Sequence, residues 1–323
     1  MKSERLARLI DSAQCIAVCG HVNPDGDAVG SALVFAAGLR QMKKEADVLL
    51  PGPIDPVYLF LPGADRILMP EDVGKKPYDL TVCLDCSDAG RLGDLAPLLQ
   101  GRPCAVIDHH ITNDCEADYV YVDAQASATG EILTELLPQL GITVDRTIAE
   151  YLLVAIEMDT GGFAHRNTTP RTLRAAADLV ACGADINAIY TRLYASRRLS
   201  KTKLMGRAIE HIRTECSGAV VTTYLTKQDF EVSGATEVDS DGVIDILREI
   251  DTCRLCALLR ESQDGCKVSF RCAAGYDVAA VAKELGGGGH VLASGCTVRE
   301  DIDAAEAMIR ERLVRAWREG KTD

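Results

Sequence analysis

The stretch "CIAVCGHVNPDGDAVGSALVFAAGLR" at residues 15–40 decides the fold. An apolar run at 15–19 ends at Gly20 and enters a loop shaped by Pro24 and Gly26. A helical-period segment over 27–42 follows, with Val29, Leu33, Ala36 and Leu39 on or near one face. Strand, loop and helix in that order open an α/β unit. Further apolar runs at 46–50, 80–84, 104–107 and 119–122 repeat the pattern, and helices are expected at 128–137, 146–158 and 170–182. The last has Thr169 as its cap and Pro170 in its first turn. Strands that alternate with helices predict an α/β fold with a mainly parallel sheet flanked by helices.

Working outward, 323 residues at 47% hydrophobic can bury a substantial core and suit two domains better than one. We expect the first domain over 1–184 and a helical connector over 185–214, a stretch of mixed polarity with few breakers. A smaller α+β domain over 215–323 is expected to follow. It contains "AVVTTYL", the helical "DGVIDILREI", the strand pair "CRLCALLRE" and "CKVSFRC", a helix near 277–285, "GGGGHVLASGCTV" and a final helix over about 301–317.

The N-terminal "MKSERLARLIDSA" reads as an amphipathic helix rather than a leader, and no apolar run approaches membrane-spanning length. A cytoplasmic protein with no membrane partner is the expectation. Thirteen cysteines are scattered through apolar runs, as expected of buried reduced thiols. The net charge of −13 argues against a protein that grips long duplex nucleic acid by phosphate neutralisation. Aromatic residues are only 5%, which also argues against a stacking track for long single strands. A polyanionic substrate should therefore be short.

Four clusters sit where strands or helices should end. They are His21, Asp25 and Asp27 in "GHVNPDGD", Asp85 with Arg91 in "CLDCSDAGR", Asp108, His109 and His110 in "VIDHHITND", and Asp159 in "EMDTGGF". A lone aspartate at a strand end is more often a cap or turn residue than a ligand. All four clusters, however, are expected along one edge of one sheet, where open α/β sheets bind ligands. Oxygen donors with a minority of imidazoles suit Mn²⁺, Mg²⁺ or Fe²⁺ better than a structural zinc. Four aspartates and two histidines suffice for two divalent ions, the arrangement that hydrolyses phosphoesters and phosphoanhydrides.

The set "HVNPDGD", "LDCSD", "DHH" and "MDTGG", in this order, resembles the DHH phosphoesterase superfamily, and "VSFRC…GGGGHVLASG" is similar to the DHH-associated domain that follows it in one branch. The likeness is closest to the stand-alone bifunctional oligoribonuclease and pAp phosphatase type. It implies His21, Asp25 and Asp85 around one metal, and Asp27, Asp85, His109 and Asp159 around the other, with Mn²⁺ the expected ion. His110 would then face the scissile phosphate while Asp108 orients a neighbouring histidine. Arg91, Arg271, Gly287, Gly288, Gly289 and His290 would contact substrate, the second domain closing over the site. After "DTGGF" the chain departs from the family, with Ala164, His165 and Arg166 where relatives carry arginine, an aromatic residue and serine. His165 becomes a candidate substrate contact, and the preferred substrate stays open.

The expected activity is hydrolysis of very short oligonucleotides to nucleoside 5′-monophosphates, and of the nucleotide bisphosphate pAp to AMP, with a homodimer as a candidate assembly. The alternatives are a phosphodiesterase of cyclic di-AMP or linear pApA, a pyrophosphatase, and a non-catalytic nucleotide-binding protein.

Overall fold

The computed structural model describes residues 2–73 and 76–320. Residues up to Ser196 form one compact unit and those from Arg197 onward a second. The first unit contains α1 (Lys2–Ser12), β1 (Cys15–Cys19), α2 (Gly26–Gln41), β2 (Glu45–Leu49), β3 (Leu80–Leu84), β4 (Cys104–Asp108), β5 (Tyr119–Val122), α3 (Thr129–Gln139), α4 (Arg146–Thr160), α5 (Pro170–Ala181) and α6 (Ile186–Leu193). Its five strands are all parallel, in the order β2-β1-β3-β4-β5. The α/β expectation for this region therefore holds.

Strand alternation feeds two cores. Ile16, Val18, Val82, Leu84 and Ile107 face the larger one, built with α2, α3 and α4. Ala17, Cys19, Cys83 and Val106 face a smaller one with Leu92 and Leu95. Apolar residues are thus buried on both faces, which is why these strands read as near-continuous apolar runs. The chain leaves β1 for β2 on one side and returns past β1 to β3 on the other. The switch point of the sheet therefore lies between the carboxyl ends of β1 and β3, where open α/β sheets form their ligand crevice.

The second unit contains α7 (Leu199–Glu210), β6 (Arg213–Glu215), β7 (Val220–Leu225), α8 (Lys227–Ser233), α9 (Val243–Arg248), β8 (Leu255–Ser262), β9 (Gly265–Cys272), α10 (Val278–Glu284), β10 (Gly288–His290), β11 (Ala293–Val298) and α11 (Ile302–Glu319). Its sheet runs β10-β11-β9-β8-β7-β6, with β7 and β8 parallel and the other pairs antiparallel.

The stretch 185–214, expected as one helical connector, is two helices and a short strand. Ile189 of α6 packs into the core of the first unit, whereas Leu204 and Ala208 of α7 pack into a core with Val221, Leu225 and Leu258. Two apolar faces with different destinations interrupt the helix, although no proline or glycine lies between Asp185 and Met205. No helix among the described residues is long and apolar enough to cross a membrane.

Candidate metal centre

At the switch point, His21 follows β1 and Asp85 follows β3. Asp85 takes a left-handed backbone, with φ of 54°, and its N–H donates to the carbonyl of Ile107 at 3.1 Å. That conformation costs a non-glycine residue about 1 kcal/mol or more and clusters at functional sites. The turn after β3 also fixes the β1 loop, because Val22 N–H donates to the carbonyl of Arg91 at 2.7 Å.

His21 Nδ1 donates to the carbonyl of Val22 at 2.8 Å. A carbonyl only accepts, so the proton is on Nδ1, and Nε2 faces Asp25 Oδ1 at 3.7 Å and Asp85 Oδ2 at 3.4 Å. Asp25 is also the N-cap of α2, accepting from the N–H groups of Asp27 and Ala28 at 3.1 Å each. Cap and candidate ligand are therefore the same residue.

His109 Nε2 faces three carboxylates, Asp159 at 3.1 Å, Asp85 at 3.4 Å and Asp27 at 3.9 Å. Asp159 lies in the last turn of α4. Asp27, fully buried in the first turn of α2, accepts at one oxygen from Thr129 N–H at 2.6 Å and at the other from Gly130 N–H at 3.0 Å and Ser31 Oγ at 2.8 Å. Its carboxylate thus caps α3 from outside, replacing the side chain that Ala128 at the N-cap position lacks. Gly130 is required for this approach, since a Cβ there would lie 2.5 Å from Ala155 Cβ.

His110 bonds a different carboxylate, although its Nδ1 also lies 3.6 Å from Asp85 Oδ1. Its Nδ1 donates to the fully buried Asp108 at 2.8 Å, and its ring is tilted 56° from that of His109. Asp108 also accepts from His109 N–H at 2.8 Å and from Asn113 Nδ2 at 2.7 Å, so the adjacent imidazoles diverge from one buried carboxylate. His110 is left one-third exposed with Nε2 available.

Asp85 recurs in two of three ligand groupings, with His21 and Asp25 and with His109 and His110, and the third is Asp27, His109 and Asp159; within each set the donor atoms lie within 4.8 Å of one another. Among the described residues, none of these aspartates is paired with lysine or arginine. Burial disfavours charge on the imidazoles, but Asp25 and Asp85 outweigh it and push His21 up to about 10. Asp159 and Asp85 likewise push His109 up to about 11. Burial raises the Asp85 carboxyl, but His109 and His21 outweigh it and hold Asp85 well below the carboxylate range. Burial, with Asp85 and Asp159 adding to it, drives Asp27 well above that range. The pocket is short of positive charge, and its oxygen-rich donor set with a minority of imidazoles fits a divalent cation.

The remaining expected residues are less gathered. The Arg91 side chain makes no ion pair among the described residues, while its backbone carbonyl holds the His21 loop. In the second unit, Arg271 lies in β9, and Gly288 to His290 form β10 and are exposed. Gly287 and Gly289 are committed to close pairing, since a Cβ on either would meet the backbone of Gly295 at 2.2 Å or of Ser294 at 2.6 Å. Gly288 has open space. His165 is folded against its own helix end, donating from Nδ1 to the carbonyl of Asp159 at 3.2 Å. Sequence reasoning missed Thr129, Gly130 and Ser31, which hold the candidate ligand Asp27, and Asn113, which holds Asp108. The one local signal was a helix start at Ala128 without a capping side chain of its own.

Residues 15–156 match the N-terminal domain of the DHH family and residues 193–315 match the DHHA1 domain. The chain belongs to the DHH family of phosphoesterases. It is 35% identical over 307 residues to the bifunctional oligoribonuclease and PAP phosphatase NrnA of Thermus thermophilus, covering 93% of this chain and 91% of that one. It is 29% identical over 303 residues to the protein of the same name from Bacillus subtilis, covering 92% and 93%. A crystal structure of an exopolyphosphatase-related protein from Bacteroides fragilis superposes with a TM-score of 0.86 at 23% identity, covering 99% and 97% of the two chains, and shows the shared fold.

Proposed function

We propose that the protein is a divalent-cation-dependent phosphohydrolase that releases nucleoside 5′-monophosphates from very short oligonucleotides and removes the 3′-phosphate of pAp. The observation that carries this reading is the pair His21 Nε2 and His109 Nε2, each facing only carboxylate oxygens, beside a third imidazole whose outer nitrogen is open. The activities named for the Thermus and Bacillus relatives support nucleotide substrates.

In this reading His21, Asp25 and Asp85 hold one cation and Asp27, Asp85, His109 and Asp159 hold the other, with Asp85 shared and Mn²⁺ the ion that suits the donors. Two such ions, when bound, would supply Lewis acidity and neutralise charge for in-line attack of water on phosphorus. Asp108 fixes the His110 ring and raises its pKa, the hydrogen bond to Asp108 outweighing partial burial. Nε2 then carries a proton that it donates to the leaving oxygen. Arg91, Arg271, His290 and the backbone at Gly287–Gly289 are the proposed substrate contacts, Gly288 being the glycine with room for a phosphate.

The test is turnover of pAp, pApA, cyclic di-AMP, inorganic pyrophosphate and RNAs of two to about 24 nucleotides with Mn²⁺, compared by kcat/KM. We expect dinucleotide to tetranucleotide RNA and pAp to lead. Faster hydrolysis of cyclic di-AMP or of pyrophosphate would replace this reading.

A further inference from the structure

Behind the ligands lies a buried polar network that neither the motifs nor the proposed chemistry uses. Glu131, in the first turn of α3, is completely buried. Its Oε2 accepts from Ser127 Oγ at 2.5 Å, Ser127 N–H at 3.1 Å and Thr172 Oγ1 at 2.8 Å. Its Oε1 lies 3.1 Å from Arg171 Nε, and Arg171 is itself anchored by Asp123 at 2.7 Å and Glu135 at 2.8 Å. An isolated carboxylate in such a place would be several kcal/mol unfavourable. Three donors fix Oε2 in one geometry and the Arg171 charge offsets part of that cost, although Oε1 accepts no hydrogen bond because Arg171 Nε donates to Glu135.

The group fixes two ligand-bearing positions. Clamping Ser127 sets where α3 begins, and thus where Thr129 and Gly130 aim the N–H groups that hold both oxygens of Asp27. Thr129 Oγ1 also reaches Asp85 at 3.3 Å. From the same clamped residue, the Ser127 carbonyl accepts from Asn167 Nδ2 at 3.1 Å, and that amide also donates to the carbonyl of Asp159 at 3.1 Å. The start of α3 and the end of α4 are therefore tied through Ser127. Asp27 and Asp159 are the two aspartates that face His109 and not His21.

We propose that Glu131 is a positioning residue for the His109 cation site, acting through Ser127 on Asp27 and through Asn167 on Asp159, an inference that rests on the two-cation reading above. Partners behind the ligands typically change metal affinity by 10–100-fold when removed. The effect is asymmetric, because the network bonds Asp27 and Asp159 directly but reaches His21 and Asp25 only through Asp85 and the N–H of Asp27.

Titration of the whole protein with Mn²⁺, following free Mn²⁺ by electron paramagnetic resonance, tests this without turnover. In Glu131→Gln we expect one of the two sites to weaken by about tenfold or more and the other to stay within about twofold, with the urea midpoint reporting the fold separately. Two unchanged sites in folded Glu131→Gln would overturn the proposal, as would equal weakening of both. Should that variant fail to fold, Thr172→Ala removes one donor and is expected to weaken one site roughly threefold, with Thr172→Ser restoring it. Equal affinities for the Ala and Ser variants would then overturn the proposal. A wild-type protein that binds two Mn²⁺ yet hydrolyses no substrate would sink the functional reading and leave the affinity comparison standing. One that binds no Mn²⁺ would end both.

Discussion

Two buried aspartate clusters in this protein solve the same electrostatic problem differently. In the second unit, Asp229 is met by Arg207 Nε at 2.7 Å, Thr226 N–H at 2.8 Å and Thr226 Oγ1 at 2.7 Å, with His211 Nδ1 3.6 Å away. A permanent cation and a cap balance that carboxylate. At the switch point of the first unit, Asp27, Asp85 and Asp159 are met, among the described residues, only by imidazoles and neutral donors. An aspartate matched by arginine belongs to the architecture, whereas several aspartates around imidazoles leave a place for a cation. The distinction lies in the charge balance of the surroundings, since burial of Asp85 and Asp229 is the same at 2%.

The comparison is broken most severely at Asp85, shared by both histidine sites. Asp85→Asn keeps the shape and removes the charge. Loss of turnover on the order of 10³-fold or more is expected, as for removal of a preorganised electrostatic group, with a native circular dichroism spectrum. Wild-type kcat in this variant would mean that the acidic pocket is not the reaction centre. His110→Gln sharpens the contrast within the histidine pair. A general acid contributes about 10²–10⁴-fold, so kcat should fall in that range while Mn²⁺ binding stays at two ions. Loss of an ion in His110→Gln would make it a ligand, and the division of labour between the neighbouring imidazoles would fail.

How far the sequence carried this picture differs between the two sides of the site. The ends of β1, β3 and β4 were legible because His21, Asp85 and the Asp108–His110 run directly follow apolar runs, so local pattern alone placed them at one sheet edge. The partners of Asp27 were not legible, because Thr129 and Gly130 lie 102 and 103 positions further along the chain. Only the packing of α2 against α3 brings them together. The break between α6 and α7 was hidden for a similar reason, since no breaker residue marks it and the cause is the destination of each apolar face. At His165, a candidate substrate contact from the sequence, the Nδ1 bond to the carbonyl of Asp159 was not legible, because that local closure depends on how α4 ends.

The smallest expected effect lies in the balanced cluster and serves as its counter-test. Burial raises the Asp229 carboxyl, but the Thr226 hydroxyl and N–H and the Arg207 guanidinium outweigh it and hold the carboxyl below its ordinary value. A carboxylate with a depressed pKa in the folded state stabilises the fold fully above its unfolded pKa of about 3.9. That contribution is lost as pH falls through the folded value. Asp229→Asn should therefore lower the unfolding free energy by about 1–3 kcal/mol at pH 7, and the gap from wild type should shrink as urea denaturation is repeated toward pH 3. Mn²⁺ affinity and kcat of the folded variant should not move. A gap that persists unchanged at low pH would assign the loss to packing of the new amide. A change in Mn²⁺ stoichiometry would show that the second cluster also holds a cation, and that an arginine partner does not separate the two kinds of aspartate.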